Sequence, residues 1–244
     1  RKEFLFKAQA TEATIQGFTG AYGNIGYMGP PLAIAAFGAT AGVPVALVFC
    51  FDNSLHFTLA PLLMAFENTG RMRPAALVLQ ILRRIFTHSF IIATIAGVAG
   101  AIFEIRLPSA GDRLLELLAQ AAAPVALFAM GVTAALRPLK RIPTELAYLI
   151  PIKLALHPLI VLVMIAMLAP ATPIIWLETA MLLAALPTAT NVFVIAQQYG
   201  VWQERASSVV VLSTAMSILT VTAYLYLAKE GHVAAMFNAL GAMF

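Results

Sequence analysis

The chain has 244 residues, of which 61% are hydrophobic and only 11% are Asp, Glu, Lys or Arg, against roughly 45–50% and about 25% in soluble domains. A soluble fold could not bury that much apolar surface, so the formal net charge of +4 indicates cationic loops at a membrane surface and excludes nucleic-acid binding. The single cysteine, Cys50, excludes intrachain disulfides and thiolate metal clusters.

Hydropathy predicts seven membrane-crossing helices in one all-α domain, because about 20 apolar residues are needed to cross hydrocarbon as a helix. The tail at 231–244 is apolar but too short to span. No polar linker separates the spans, which indicates a single membrane domain. In chain order, the predicted spans cover approximately residues 8–37, 43–66, 81–103, 113–136, 146–169, 173–199 and 206–228.

The distribution of Lys and Arg predicts the orientation, because cationic loops favour the cytoplasmic side of a membrane. Eleven cations fall on one side of the predicted spans and three on the other, and Lys153 alone lies within a span. We therefore expect a multi-pass protein of the inner (cytoplasmic) membrane whose first span runs outward and whose C-terminus faces out. The eleven are Arg1, Lys2, Lys7, Arg71, Arg73, Arg83, Arg84, Arg137, Lys140, Arg141 and Arg205; the three are Arg106, Arg113 and Lys229.

An internal repeat relates the first and sixth predicted spans. An offset of 162 residues places Phe37 and Gly38 on Tyr199 and Gly200, and the two spans run in opposite directions, as in inverted-topology repeats. We expect two helices that end a first five-helix repeat at 1–66, a cytoplasmic loop at 67–80, a complete second repeat at 81–228 and a C-terminal tail at 229–244. Three further helices are expected before the first residue.

Both related spans are interrupted. The stretch Gly23–Pro31 holds three glycines and two prolines, and because each interior proline costs a helix about 3 kcal/mol, no regular helix is expected there. A second break is expected at Leu186–Asn191. Freed backbone in a bilayer must be buried in protein or line a wet cavity, and half-helix N-termini favour anions. An ordinary kink is the alternative for each break. The predicted anion-binding residues are Asn24, Gly29, Pro30, Pro31, Pro187, Thr188, Thr190 and Asn191.

Ionisable side chains within the spans form two pairs at i, i+4 spacing. Asp52 and His56 lie in the second span, where a proton or cation relay and a packing pair are equally consistent with the pattern. Lys153 and His157 lie in the fifth, where the preferred interpretation is an interfacial, snorkelling lysine and the alternative is a role towards the anion. Two ligands specify no metal geometry, so no metal is expected.

The two breaks contain two blocks of residues with a recognisable pattern: Asn24, Met28, Gly29, Pro31, Leu32, Phe37 and Gly38, then Leu186, Pro187, 190–194 and 196–199. In these blocks the sequence resembles the auxin efflux carrier family, whose bacterial members are described as malonate, malate or other organic-acid permeases. This resemblance, which covers all but about the last dozen residues, implies a ten-helix, two-repeat carrier in which broken helices cross and a mobile domain moves against a scaffold. The second proline at Pro30 departs from the family pattern.

The predicted function is secondary transport of organic anions by alternating access, with mono- or dicarboxylates such as malonate, malate or auxin-like acids as substrates. No phosphate-binding glycine loop, zinc-type histidine pair or serine elbow indicates an enzyme or a cofactor. Expected partners are the anion, the bilayer and H⁺ or Na⁺ as the coupling ion, with a homodimer left open. The alternatives are a cation/proton antiporter coupled through Asp52 and an anion-sensing receptor that does not transport.

Overall fold

The computed structural model describes residues 10–67, 79, 82–83, 86–87, 89–136 and 144–242. Within these ranges the secondary structure is helical, with one isolated antiparallel bridge between two backbone segments. The all-α fold class is therefore confirmed. The helices are α1 Ala10–Ala21, α2 Ile25–Phe37, α3 Gly42–Glu67, α4 Ser89–Ile102, α5 Ser109–Ala135, α6 Leu146–Leu168, α7 Ile174–Ala185, α8 Thr190–Tyr199, α9 Gln203–Lys229 and α10 His232–Gly241.

Each predicted span corresponds to one helix or to a pair of half-helices. The first is α1 followed by α2, the sixth is α7 followed by α8, and the other five are α3, α4, α5, α6 and α9. Among the described residues, three helical stretches are long and apolar enough to cross a membrane, at Ala39–Met64, Leu146–Leu168 and Gln203–Lys229. The chain is thus an all-α membrane protein.

Many of the residues that predict the orientation lie outside the ranges that the structure describes. Most of the predicted loop at 67–80 is among them. So are nine of the eleven cations assigned to the cytoplasmic side, namely Arg1, Lys2, Lys7, Arg71, Arg73, Arg84, Arg137, Lys140 and Arg141.

The first break lies earlier in the chain than the prolines suggested. It occupies Tyr22–Asn24, and both Pro30 and Pro31 lie inside α2, so the prediction that no regular helix survives to Pro31 is wrong. The carbonyls that lose a donor to these prolines belong to Gly26 and Tyr27, four residues earlier. Both residues lie in the first turn of α2, where the backbone beside a helix end can tilt to relieve the proline rings.

Two buried hydrophobic clusters lie on either side of the breaks. The long helices α3, α6 and α9 each contribute one half to the first cluster and the other half to the second. The half-helices α2 and α7 pack in the first cluster, and α1 and α8 pack in the second. The four half-helix ends therefore meet in the layer between the two clusters. The first cluster includes Leu162, Leu177, Leu182 and Phe237, and the second includes Ile15, Met64, Leu149 and Ile195.

Candidate functional site

The two breaks pair with each other through their backbones. Gly23 and Thr188 form an antiparallel bridge. The N–H groups of Asn24 and Ala189 each donate to a carbonyl of the opposite segment, at 2.8 and 2.9 Å. Buried backbone groups that leave a helix need such partners, since a bilayer supplies no water. The predicted meeting of the two interrupted segments is confirmed, and we call this paired unit, residues 22–24 and 186–189, the crossing.

A cavity of about 300 Å³ lies beside the crossing. Both α2 and α8 begin at this cavity, and the first N–H groups of a helix lack intrahelical acceptors and carry its positive dipole end. No Asp, Glu, Lys or Arg is among the described residues that line it. An anion is therefore the ligand that this crossing cavity favours. Its lining residues are Tyr22, Gly23, Asn24, Gly26, Tyr27, Phe49, Asn53, Ala189, Thr190 and Asn191.

Side-chain amides in the crossing cavity are joined through one tyrosine hydroxyl. Asn191 Nδ2 donates to Tyr22 Oη at 2.8 Å, and Tyr22 Oη donates to Asn53 Oδ1 at 2.5 Å. Asn53 Nδ2 in turn donates to the Phe49 carbonyl at 3.0 Å. An amide nitrogen carries two protons, so each of these two amides keeps a second N–H beyond the bond described.

Three of the residues predicted from the sequence to bind the anion line the crossing cavity: Asn24, Thr190 and Asn191. Two others belong to the crossing itself. The Pro187 carbonyl accepts the Asn24 N–H. Thr188 is fully buried, and its hydroxyl donates to the Thr19 carbonyl at 2.8 Å. These two residues position the crossing rather than face the cavity.

The remaining three predicted residues, Gly29, Pro30 and Pro31, are not among the residues that line the crossing cavity. They lie farther along α2, on the side of the first hydrophobic cluster. A Cβ added to Gly29 would lie 2.9 Å from Leu183 Cδ2. The glycine therefore allows α2 to pack closely against α7, which is a structural role.

Sequence reasoning missed Tyr22 and Asn53 as cavity residues. Asn53 carried a signal, since it is an amide in an apolar span and neighbours Asp52. Tyr22 carried a weaker one, since its only distinction is that it directly precedes the first break. The contacts of Tyr22 join residues 31 and 169 positions away along the chain, and a hydropathy pattern does not contain such contacts.

Lys153 lies at the crossing and is fully buried, so the interfacial position preferred from the sequence is wrong. Its Nζ donates to the Ala184 carbonyl at 2.7 Å and lies 2.9 Å from His157 Nδ1. The end of α7 at the second break explains why Lys153 is buried there. The last carbonyls of a helix carry its negative dipole end and favour a cation. A Cβ added to Gly23 would lie 3.4 Å from Nζ, so the ammonium lies directly behind the crossing.

Asp52 and His56 lie on α3 next to the crossing. His56 Nδ1 lies 2.7 Å from the Asp52 carbonyl and 3.3 Å from Asp52 Oδ1. Asp52 Oδ2 is buried without a hydrogen-bond partner. Together with His157, both side chains line a second cavity of about 640 Å³ between α1 and α3. The two i, i+4 pairs thus lie close together in space, because His157, which contacts Lys153, lines the same cavity as Asp52 and His56.

Comparison with known proteins agrees with a transport role. Residues 3–225 match the model of a family described as "Membrane transport protein". A protein of Rhizobium meliloti (strain 1021), named "Putative malonate transporter", is 57% identical over 228 residues, which are 93% of this chain and 71% of that protein.

Proposed function

The chain belongs to this membrane transport protein family, the auxin efflux carrier family that its two sequence blocks resemble, and we propose that it carries small organic anions by alternating access. As a member it is a membrane transporter and not an enzyme. The family predicted from the sequence is therefore confirmed.

The proposed substrate is a small mono- or dicarboxylate such as malonate. One observation carries this proposal: two helix N-termini and the amides of Asn24, Asn53 and Asn191 surround one cavity of about 300 Å³. Carboxylates accept hydrogen bonds from backbone N–H groups and amides, and helix N-termini attract their charge. The cavity volume lies at the lower end of ligand sites, which are typically about 300–1,000 Å³, so it favours a compact anion. The name of the relative supports malonate as the first compound to test.

The proposed architecture is an inverted repeat in the inner membrane, with residues 1–66 and 81–228 in the two repeats, a cytoplasmic loop at 67–80 and a tail at 229–244. Two features support it. The breaks pair in antiparallel fashion, as segments of opposite direction would. Each break is also followed by a half-helix and then by one long helix, α3 in the first case and α9 in the second.

The proposed coupling site is the Asp52–His56 pair, with H⁺ or Na⁺ as the coupling ion. A buried carboxylate oxygen without a partner is costly, which supports a role in taking up a cation. Asp52→Asn is expected to remove the dependence of uptake on the imposed gradient while anion binding persists. Uptake driven separately by a pH gradient and by a Na⁺ gradient identifies the ion. A variant that still responds fully to the gradient would refute this site.

The central experiment measures flux of labelled carboxylates in proteoliposomes of the full chain. Asn24→Ala and Asn191→Ala are expected to lower malonate uptake by about tenfold or more, since each removes an amide that would contact the anion. Asn238→Ala is the matched control, because Asn238 is exposed on α10. Transport is refuted if no carboxylate moves under any gradient. The site is refuted if the two variants transport like the control, and saturable binding without flux would favour a receptor.

A further inference from the structure

Tyr22 lies between the two cavities and has contacts on both sides. It is 2% exposed and lines the crossing cavity, while the cavity between α1 and α3 is lined by Asp52, His56 and His157. Among the residues that the structure describes, none lines both cavities. The Tyr22 side chain thus forms part of the wall between the anion cavity and the group of titratable residues.

The ring of Tyr22 contacts this titratable group. It stacks on the His56 ring with 3.9 Å between ring centroids and 8° between ring planes. A carbonyl oxygen can only accept, so the His56 Nδ1 beside the Asp52 carbonyl carries a hydrogen, and Nε2 is the nitrogen that gains or loses a proton. A proton on Nε2 places a cation against the face of the phenol ring, which is a favourable arrangement.

The hydroxyl of Tyr22 contacts the anion cavity. It accepts from Asn191 and donates to Asn53, so it sets the direction of both amides. In this direction each amide keeps one N–H for a ligand. A cation against the ring draws electron density from the phenol and so strengthens its hydroxyl as a hydrogen-bond donor. The two amides feel this change because linked hydrogen bonds polarise one another. The charge state of His56 can therefore alter how these amides hold an anion.

We infer that Tyr22 is the positioning residue that transmits the charge state of the Asp52–His56 pair to the anion cavity. This inference rests on the proposed function. Protonation of His56 reinforces the Tyr22 hydroxyl, so the anion binds more tightly when His56 is charged and its affinity falls towards high pH. Within the described part of the chain, the other titratable groups that face the pair are His157 and Lys153 of α6, and Tyr22 itself.

The test measures the Kd of malonate for the full-length protein between about pH 5 and pH 8, the range in which histidine titrates. Tyr22→Phe keeps the stacked ring and removes the hydroxyl. Tyr224→Phe is the matched control, because Tyr224 is also buried and its hydroxyl donates only to the Glu178 carbonyl, at 2.7 Å. Dividing each Kd by that of the control at the same pH removes the titration of malonate itself.

For Tyr22→Phe we expect a Kd about tenfold that of the control, because one hydrogen bond near a charged ligand is lost. This ratio of Kd values should grow towards low pH. For His56→Phe, which keeps a stacked ring without a titratable nitrogen, the ratio should rise only at low pH. Adding His56→Phe to Tyr22→Phe should not change the pH dependence further, because coupled residues are non-additive. This last result separates transmission through Tyr22 from two independent effects.

The inference is overturned if the Tyr22→Phe ratio is near one, or if it is raised equally at every pH, since a purely structural role would give a constant ratio. If Tyr22→Phe does not fold, His56→Phe decides, and an unchanged pH dependence in that variant also overturns it. A wild-type protein that neither binds nor moves any carboxylate refutes the proposed function as well. If the wild-type protein transports a carboxylate and the Tyr22→Phe variant has the same Kd as the control at every pH, this inference alone is refuted.

Discussion

Replacing Lys153 with Met separates the electrostatic role of the buried lysine from its packing role. Methionine fills a similar volume and removes the ammonium, which donates to Ala184 at 2.7 Å behind the crossing. An added Cβ on Gly23 would lie 3.4 Å from Nζ. One further van der Waals contact of about 4 Å places an anion on the cavity side of the Gly23 backbone roughly 8 Å from Nζ. At an effective dielectric constant of about 20, two unit charges at that distance attract by about 2 kcal/mol, or about 30-fold in Kd.

The stability of this variant is expected to change little, because two opposing effects have similar size. The lost hydrogen bond and the loss of the cation from the end of α7 together cost about 2–4 kcal/mol. Removing a buried ammonium avoids a desolvation penalty of several kcal/mol. His157 Nδ1 lies 3.1 Å from the Ala184 carbonyl and can donate in place of the lysine. The melting temperature should thus stay close to wild type while the affinity falls.

Isothermal titration of malonate at fixed pH, together with thermal melting in detergent, checks both expectations for Lys153→Met. Lys229→Met is the matched control, since Lys229 is an exposed cation in the last turn of α9, and its affinity should equal that of wild type. A Lys153→Met protein with wild-type Kd would show that the ammonium does not act on the cavity. A protein that loses affinity only because it melts at a much lower temperature would refute the electrostatic reasoning too.

Two further predictions concern the crossing, and thermal melting checks both. Gly23→Ala should destabilise by about 1–3 kcal/mol, because the added Cβ would lie 3.0 Å from the backbone carbonyl of Leu183. Gly17→Ala in α1, with no atom within 4 Å of its added Cβ, should be neutral or slightly stabilising; equal melting of the two variants would contradict this reasoning. Thr188→Val keeps the shape but leaves the Thr19 carbonyl without its donor, at a cost of about 1–3 kcal/mol. Thr188→Ser keeps the hydroxyl and should melt at a higher temperature than Thr188→Val. If Thr188→Val melts at the higher temperature, this hydrogen bond contributes nothing to stability.

The sequence allowed the helices and the fact of two breaks to be predicted, because both depend on local composition. A long run of apolar residues predicts a membrane-crossing helix without any knowledge of its tertiary contacts. Asn24 and Asn191 likewise stand out as polar residues among apolar neighbours in the sequence. The end of the first break differs from the prediction, because a proline in a sequence indicates a helix breaker whatever its position in the helix. The cost of Pro30 and Pro31 depends on which carbonyls lose a donor, and here those carbonyls lie in a first turn beside an existing helix end.

The positions of Lys153 and Tyr22 could not be predicted, because each depends on a partner segment distant in the chain. Lys153 was expected to snorkel, since a lone lysine near a span end does so in most settings. Its actual partner, the Ala184 carbonyl, becomes available only because α7 ends one residue later. The role of Tyr22 likewise requires α1, α3 and α8 to meet. The burial of Lys153 is therefore explained by a backbone carbonyl that the second break leaves without a helical partner.

The hydrogen bonds of the crossing have a consequence for alternating access. Two backbone bonds, the Thr188 bond to Thr19 and the Asn191 bond to Tyr22 tie the two interrupted helices to each other. Separating them would expose several buried polar groups where no water replaces the lost partners, and each exposed group costs about 1–3 kcal/mol. Moving both together breaks none of these bonds. The two broken helices should therefore move as one body, together with the side chains of α3 and α6 that bond to them. Because Phe49 and Asn53 of α3 complete the cavity, this body is the candidate for the mobile domain that the family resemblance implies.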